Sequence, residues 1–175
     1  MLWATDRTRG GATLLACYHV TSNRPGTQVI RSILTVCTGN ICRSPLAEAL
    51  LQERLPDCTV TSAGIGALVG RPAEPHACTV AIAAGLDLST HRARQATPEV
   101  VAHQDLILVL DAGHLRWMGE RFPPLRGRVY LLGHWLGQRD VADPFRADLS
   151  RFQAAFDQIQ EDAECWVERI AGVNA

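Results

Sequence analysis

The stretch Ile33-Leu34-Thr35-Val36-Cys37-Thr38-Gly39-Asn40-Ile41-Cys42-Arg43-Ser44-Pro45-Leu46-Ala47-Glu48-Ala49-Leu50-Leu51 decides the fold. Its first four residues are apolar or β-branched, as a buried strand requires. Strong helix formers then run from Leu46 to Leu55 with helical periodicity. The reading is strand, tight loop, and a helix over Pro45–Leu55. Ser44 is the expected N-cap and Pro45 suits the first helical position. A helix start offers unpaired N–H groups and the positive end of the macrodipole, so a loop folded in front of it makes an anion site.

Two side chains turn that anion site into a reaction site. Cys37 ends the strand and Arg43 follows six positions later. Thiols near helix N-termini and cations ionise more readily and become nucleophiles. Arg43 brings a planar fork of donors suited to two oxygens of one phosphate. Gly39 is expected to supply the positive φ that turns the loop amides inward.

Beyond the loop, the chain alternates. Cys58–Ala63 reads as a second strand and Gly64–Pro72 as a loop. Glu74–Ala84 reads as a helix stopped by Gly85, and Thr97-Pro98-Glu99 opens a short helix ending near His103. Leu106–Leu110 is continuously apolar, the pattern of a strand buried on both faces. Asp111 ends it and suits the cap of a helix over Ala112–Arg121. Arg128–Leu132 is a fourth strand, Gly133–Asp148 a long loop, and Leu149 to about Ala171 a last helix. In that helix Phe152, Phe156, Ile159, Ala163, Trp166 and Ile170 recur at helical steps and read as core. The alternation implies an α/β three-layer sandwich around a four-stranded parallel sheet, with the site beyond the strands' carboxyl ends.

Composition is that of one globular domain: 175 residues, 47% hydrophobic and 20% charged. The net charge of −1 gives no global reason to bind nucleic acid. No apolar run approaches the ~20 residues of a membrane span, so no membrane insertion is expected. The six cysteines match no zinc spacing, and neither metal nor cofactor is expected. A reduced, cytoplasmic setting suits a reactive thiol. Residues 1–28 read as an extension, either a disordered tail or the product of a start codon assigned too far upstream, ahead of a domain over 29–175.

A thiolate attacking phosphorus needs a proton donor for the departing oxygen. Asp143, in Val141-Ala142-Asp143-Pro144-Phe145-Arg146, is the candidate. A plain Asp-Pro turn is the alternative reading of those residues.

The run Cys37-Thr38-Gly39-Asn40-Ile41-Cys42-Arg43-Ser44-Pro45 resembles the signature loop of the low-molecular-weight protein tyrosine phosphatases. The resemblance covers roughly residues 32–172 and implies strand order 2-1-3-4. It implies that Thr38, Gly39, Asn40, Ile41, Cys42, Arg43 and Ser44 cradle the phosphate, with Cys37 as nucleophile and Asp143 as general acid. It further implies a phosphocysteine intermediate. Asn40, Ser44, Ser62 and His91 would form a supporting network, and Ile41, Leu68 and Phe145 would line the substrate pocket. Cys42 matches a neighbour that can form a reversible disulfide with the nucleophile. Asp111 matches a loop-region acid of the family.

The segments 62–70 and Leu132-Gly133-His134-Trp135 resemble the bacterial subgroup tied to exopolysaccharide export. That implies a monomer or weak dimer acting on a phosphotyrosine protein, a tyrosine autokinase with a Tyr-rich tail. Rivals are an arginine phosphatase, an arsenate reductase and a binding module without turnover. Relatives that dephosphorylate arginine carry Thr where Ile41 stands, and residues 105–117 lack the cysteine a reductase relay needs.

Overall fold

The computed structural model describes residues 29–174, so the expectation for residues 1–28 lies outside the described residues. Four strands form the sheet: β1 (Ser32–Cys37), β2 (Thr59–Gly64), β3 (Leu106–Val109) and β4 (Val129–Leu131). Their order is β2-β1-β3-β4 and every pairing is parallel, as expected. Parallel neighbours require crossovers, and these are supplied by α1 (Arg43–Arg54), α2 (Pro75–Ala83), α3 (Pro98–Ala102) and α4 (Ala112–Arg121). The chain closes with α5 (Leu149–Asn174).

Side-chain alternation along the strands divides the core in two. Ile33, Leu106 and Leu108 join the cluster that α1, α2 and α5 cover. Leu34, Val36, Ile107 and Val109 join the other, with Val101 of α3 and Met118 of α4. All four β3 residues are buried, which is why that strand reads as an unbroken apolar run. On α5 the six periodic residues are all buried, and Trp166 also donates its indole N–H to the Leu132 carbonyl at 2.8 Å.

Three local expectations need correction. Helix α1 begins at Arg43, two residues before Pro45, and Ser44 is not its cap. Cys42 occupies the cap position without a side-chain bond, because the Ser44 hydroxyl is engaged elsewhere. The left-handed residue of the loop is Asn40, at φ 55°, and not Gly39. Asn tolerates that conformation when its side chain is held locally. Finally, Arg128 belongs to a 3₁₀ turn, Pro123–Arg128, and the fourth strand starts one residue later, at Val129. The Asp111 expectation holds: its carboxylate accepts the His114 N–H at 2.9 Å and caps α4.

Candidate active site

The loop between β1 and α1 is turned inside out relative to an ordinary turn. Five successive carbonyls accept hydrogen bonds from a surrounding shell. Cys37 takes the Ile65 N–H, Thr38 the Gly66 N–H, Gly39 the Leu68 N–H and Ile41 the Glu74 N–H, all at 2.8–3.0 Å. The Asn40 carbonyl accepts from His91 Nε2 at 2.7 Å. A carbonyl can only accept, so Nε2 carries the proton and the tautomer of His91 is set. With the carbonyls drawn outward, the backbone is free to present amides inward. The Asn40 N–H donates to Cys37 Sγ at 3.3 Å.

Gly64 makes this shell possible. A Cβ there would lie 2.4 Å from the Thr38 carbonyl oxygen, closer than any side chain permits. Only glycine lets the end of β2 approach the loop backbone.

A directional network stands behind the sulfur. Arg94 N–H donates to Asn40 Oδ1 at 2.8 Å, which fixes the way the carboxamide faces. The amide nitrogen of Asn40 then donates to both Ser44 Oγ at 2.9 Å and Ser62 Oγ at 2.7 Å. Each hydroxyl, having accepted, can send its own proton onward. Ser62 donates to Glu48. Ser44 Oγ stands 2.9 Å from Cys37 Sγ, placed to donate to a negative sulfur. His91 Nδ1 lies 3.8 Å from the same Glu48 carboxylate. The four supporting residues anticipated from the sequence are thus all brought to the back of the loop.

Arg43 is 3% exposed and held by three acceptors. Nη1 donates to Asp111 Oδ2 and to the Val141 carbonyl, both at 2.9 Å. Nη2 donates to Asp143 Oδ2 at 2.8 Å. Nε is buried without a partner among the described residues, a donor that an oxyanion would satisfy. Burial works against the charge on Asp111, but the His114 amide, the His114 ring and Arg43 outweigh it and hold the carboxyl below the usual carboxylate range.

These parts face one cleft of about 170 Å³, lined among others by Cys37, Ile41, Arg43, Leu68, Asp143 and Phe145. Thr38, Gly39 and Cys42 also line it. Leu68 and Phe145 are 44% and 46% exposed, so the rim is apolar and open while the floor is polar and closed. Cys42 is a buried free thiol. Desolvation, and then the neighbouring Cys37, push its pKa up to about 12.

Two contributors were not anticipated from the sequence. His114, 2% exposed, places Nε2 2.9 Å from Thr38 Oγ1. Its Nδ1 lies 3.0 Å from Asp111 Oδ1 without hydrogen-bond geometry. Glu48 stands in the sequence only as one helix former among others, yet it terminates the serine network. Neither carried a local signal, because the partners Thr38 and Ser62 stand 76 and 14 positions away.

Residues 32–173 match the family described as low molecular weight phosphotyrosine protein phosphatase. The chain is 48% identical over 146 residues to "Probable low molecular weight protein-tyrosine-phosphatase EpsP" of Ralstonia nicotianae, covering 83% of this chain and all of that protein. It is 41% identical over 142 residues to the low molecular weight protein-tyrosine-phosphatase Wzb of Salmonella typhimurium, covering 81% of this chain and 95% of the relative. Among solved structures, Vibrio vulnificus Wzb in complex with benzylphosphonate aligns with a TM-score of 0.78 at 40% identity, over 80% of this chain and 99% of the other. The YwlE arginine phosphatase of Geobacillus stearothermophilus aligns with a TM-score of 0.76 at 34% identity, over 81% and 94%.

Proposed function

Since this chain belongs to the low molecular weight phosphotyrosine protein phosphatase family, we propose that it hydrolyses phosphotyrosine in proteins through a phosphocysteine on Cys37. The observation that carries the proposal is the Arg43 guanidinium. It is buried, anchored to Asp111 on one side, and its Nε beside the Cys37 cleft has no partner among the described residues.

In the first step Cys37 Sγ attacks phosphorus in line and the P–O bond to the tyrosyl oxygen breaks. The incoming dianion takes over Arg43 Nη2 and frees Asp143 to deliver its proton to the departing oxygen. In the second step Asp143 takes a proton from water as the water attacks phosphorus. The S–P bond breaks, and inorganic phosphate leaves with the sulfur restored as thiolate. Arg43 and the inward amides hold the equatorial oxygens where charge spreads. Ser44 and the Asn40 N–H hold the negative sulfur between turnovers.

Ile41 supports phosphotyrosine over phosphoarginine, since it sets a branched apolar wall in the cleft that suits a phenyl ring. The resemblance of segments 62–70 and 132–135 to the bacterial subgroup tied to exopolysaccharide export supports a tyrosine autokinase as partner. The open rim at Leu68 suits a flexible tail with several phosphotyrosines.

The test measures phosphate release from phosphotyrosine and phosphoarginine peptides by wild type, Cys37→Ser and Asp143→Asn. Acid-quenched Asp143→Asn is also searched by mass spectrometry for phosphate on Cys37. Expected are preference for phosphotyrosine, no turnover by Cys37→Ser, and a phosphorylated Cys37 peptide. A preference for phosphoarginine would overturn the substrate reading, and phosphate found on another residue would overturn the mechanism.

A further inference from the structure

Asp143 sits on a long loop whose end is exposed, yet a general acid must be placed to within a fraction of an ångström. We propose that Arg139 and Asp162 are positioning residues for the general acid, fastening the root of its loop to α5 by an ion pair between a half-buried guanidinium and a buried carboxylate. This inference rests on the reading of Asp143 as the acid.

Asp162 is a carboxylate in the middle of α5, and its side chain has no exposed surface. A buried charge on a core helix is costly unless paired. Its partner is Arg139 Nε at 2.8 Å, and Arg139 also donates from Nη2 to Glu161 at 2.7 Å. Gln158, one turn earlier on α5, donates to the Asp140 carbonyl at 2.9 Å and approaches Asp162 Oδ2 at 3.4 Å. The helix therefore grips two consecutive loop residues, one by side chain and one by backbone.

That grip continues toward the chemistry through short, stiff links. Arg139 pairs with Gly133 across the loop, where a Cβ on Gly133 would lie 2.4 Å from the Arg139 carbonyl oxygen. Asp140 accepts the Ala112 N–H at the start of α4. Val141 donates to the Leu110 carbonyl at 2.8 Å and accepts from Arg43 Nη1. Asp143 follows two residues later, and among the described residues its bonds are to Arg43 and the Phe145 N–H alone. Ahead of Asp143 the loop is anchored at 133–141; beyond it buried Pro144 and the bonds that Asp148 accepts from Ser150 and Arg151 hold the far end, so the root sets where the chain enters Asp143.

Burial raises the Asp162 pKa and the Arg139 guanidinium counters it, consistent with a carboxylate that depends on this partner. Nothing in the phosphate chemistry touches Asp162, which lies on a different element from every residue of the cleft.

The test uses the leaving group as the reporter. A working general acid makes the phosphorylation step insensitive to leaving-group acidity, and kcat/KM reports that step. We would compare kcat/KM for p-nitrophenyl phosphate and phenyl phosphate in wild type, Asp143→Asn, Arg139→Lys and the double variant Arg139→Met/Asp162→Leu. The double variant removes both charges together, which spares the fold the stranded carboxylate that a single change would leave.

The gap between the two substrates is expected to widen in the double variant by about 10-fold or more, short of the roughly 10²–10⁴-fold a general acid contributes because the acid is displaced and not removed. Arg139→Lys should recover part of it, and the melting temperature should stay near wild type. If Asp143→Asn widens the gap and the folded double variant does not, the positioning role is wrong and the acid stands. If Asp143→Asn leaves the gap at the wild-type value, the acid assignment falls and this inference falls with it.

Discussion

At the scale of single residues, two cysteines in one loop are kept chemically apart. Cys37 and Cys42 are 2% and 4% exposed and both line the cleft, so access does not distinguish them. Their surroundings do. Cys37 Sγ faces the Ser44 hydroxyl and the Asn40 N–H, whereas Cys42 is desolvated and lies beside Cys37. A thiol pushed up to about 12 stays protonated and unreactive at neutral pH. Iodoacetamide at pH 7 should therefore modify Cys37 and spare Cys42, as read by peptide mass spectrometry. Comparable modification of both would show that burial does not hold the Cys42 proton.

Elements meet the loop through two close approaches, each with a measurable consequence. Gly64 closes β2 against the Thr38 carbonyl. Gly64→Ala should cost about 1–3 kcal/mol, the usual penalty for overpacking, and should lower kcat because the displaced atom belongs to the loop itself. A variant that melts like wild type and turns over normally would remove Gly64 from the site. The first turn of α4 contributes buried His114, whose pKa burial depresses below 6.5, with Arg43 adding to the effect against the opposing pull of Asp111. The unfolded chain then binds a proton that the folded one refuses. The stability His114 contributes is whole above about pH 6.5 and is lost as pH falls through its folded value. His114→Gln should flatten the decline in melting temperature between pH 7.5 and 5, and an unchanged slope would place the acid sensitivity elsewhere.

The order of these elements was legible from local pattern. Periodicity in α5, the apolar run of β3, and the capping residues Thr97 and Asp111 are all properties of neighbours in sequence. What was not legible depends on partners far along the chain. Ser44 looked like a cap until Cys37 and Asn40 claimed its hydroxyl. Gly39 looked like the strained position until the Arg94 N–H was found holding Asn40. His114 and Glu48 carry no local mark of the residues they meet, Thr38 and Ser62, which stand 76 and 14 positions away.

At the scale of the whole molecule, the parallel sheet separates stability from chemistry by its length. The cleft lies at the carboxyl ends of the strands. At the opposite end the Asn174 carboxamide clasps the chain ahead of β1, accepting from the Ile30 N–H at 3.0 Å and donating to the Ile30 carbonyl at 2.8 Å. Asn174→Ala should lower stability by about 1 kcal/mol through the lost hydrogen bonding. It should leave kcat/KM for aryl phosphates unchanged. A fall in kcat/KM at constant fold would mean that the two ends of the sheet communicate.

The Asn40 carboxamide carries a historical constraint as well as a mechanical one. Its two amide hydrogens serve Ser44 and Ser62, and its oxygen is held by Arg94. The carboxamide and the two serine hydroxyls cannot be exchanged one at a time while the others stay put, whereas the Arg94 contact is a backbone N–H that any residue but proline would supply. A lineage drifting at any one position would first meet a defective enzyme, and only a coordinated change would restore it. The value of each side chain is therefore conditional on the rest, a form of epistasis that would hold Asn40, Ser44 and Ser62 together while the surface around them diverges.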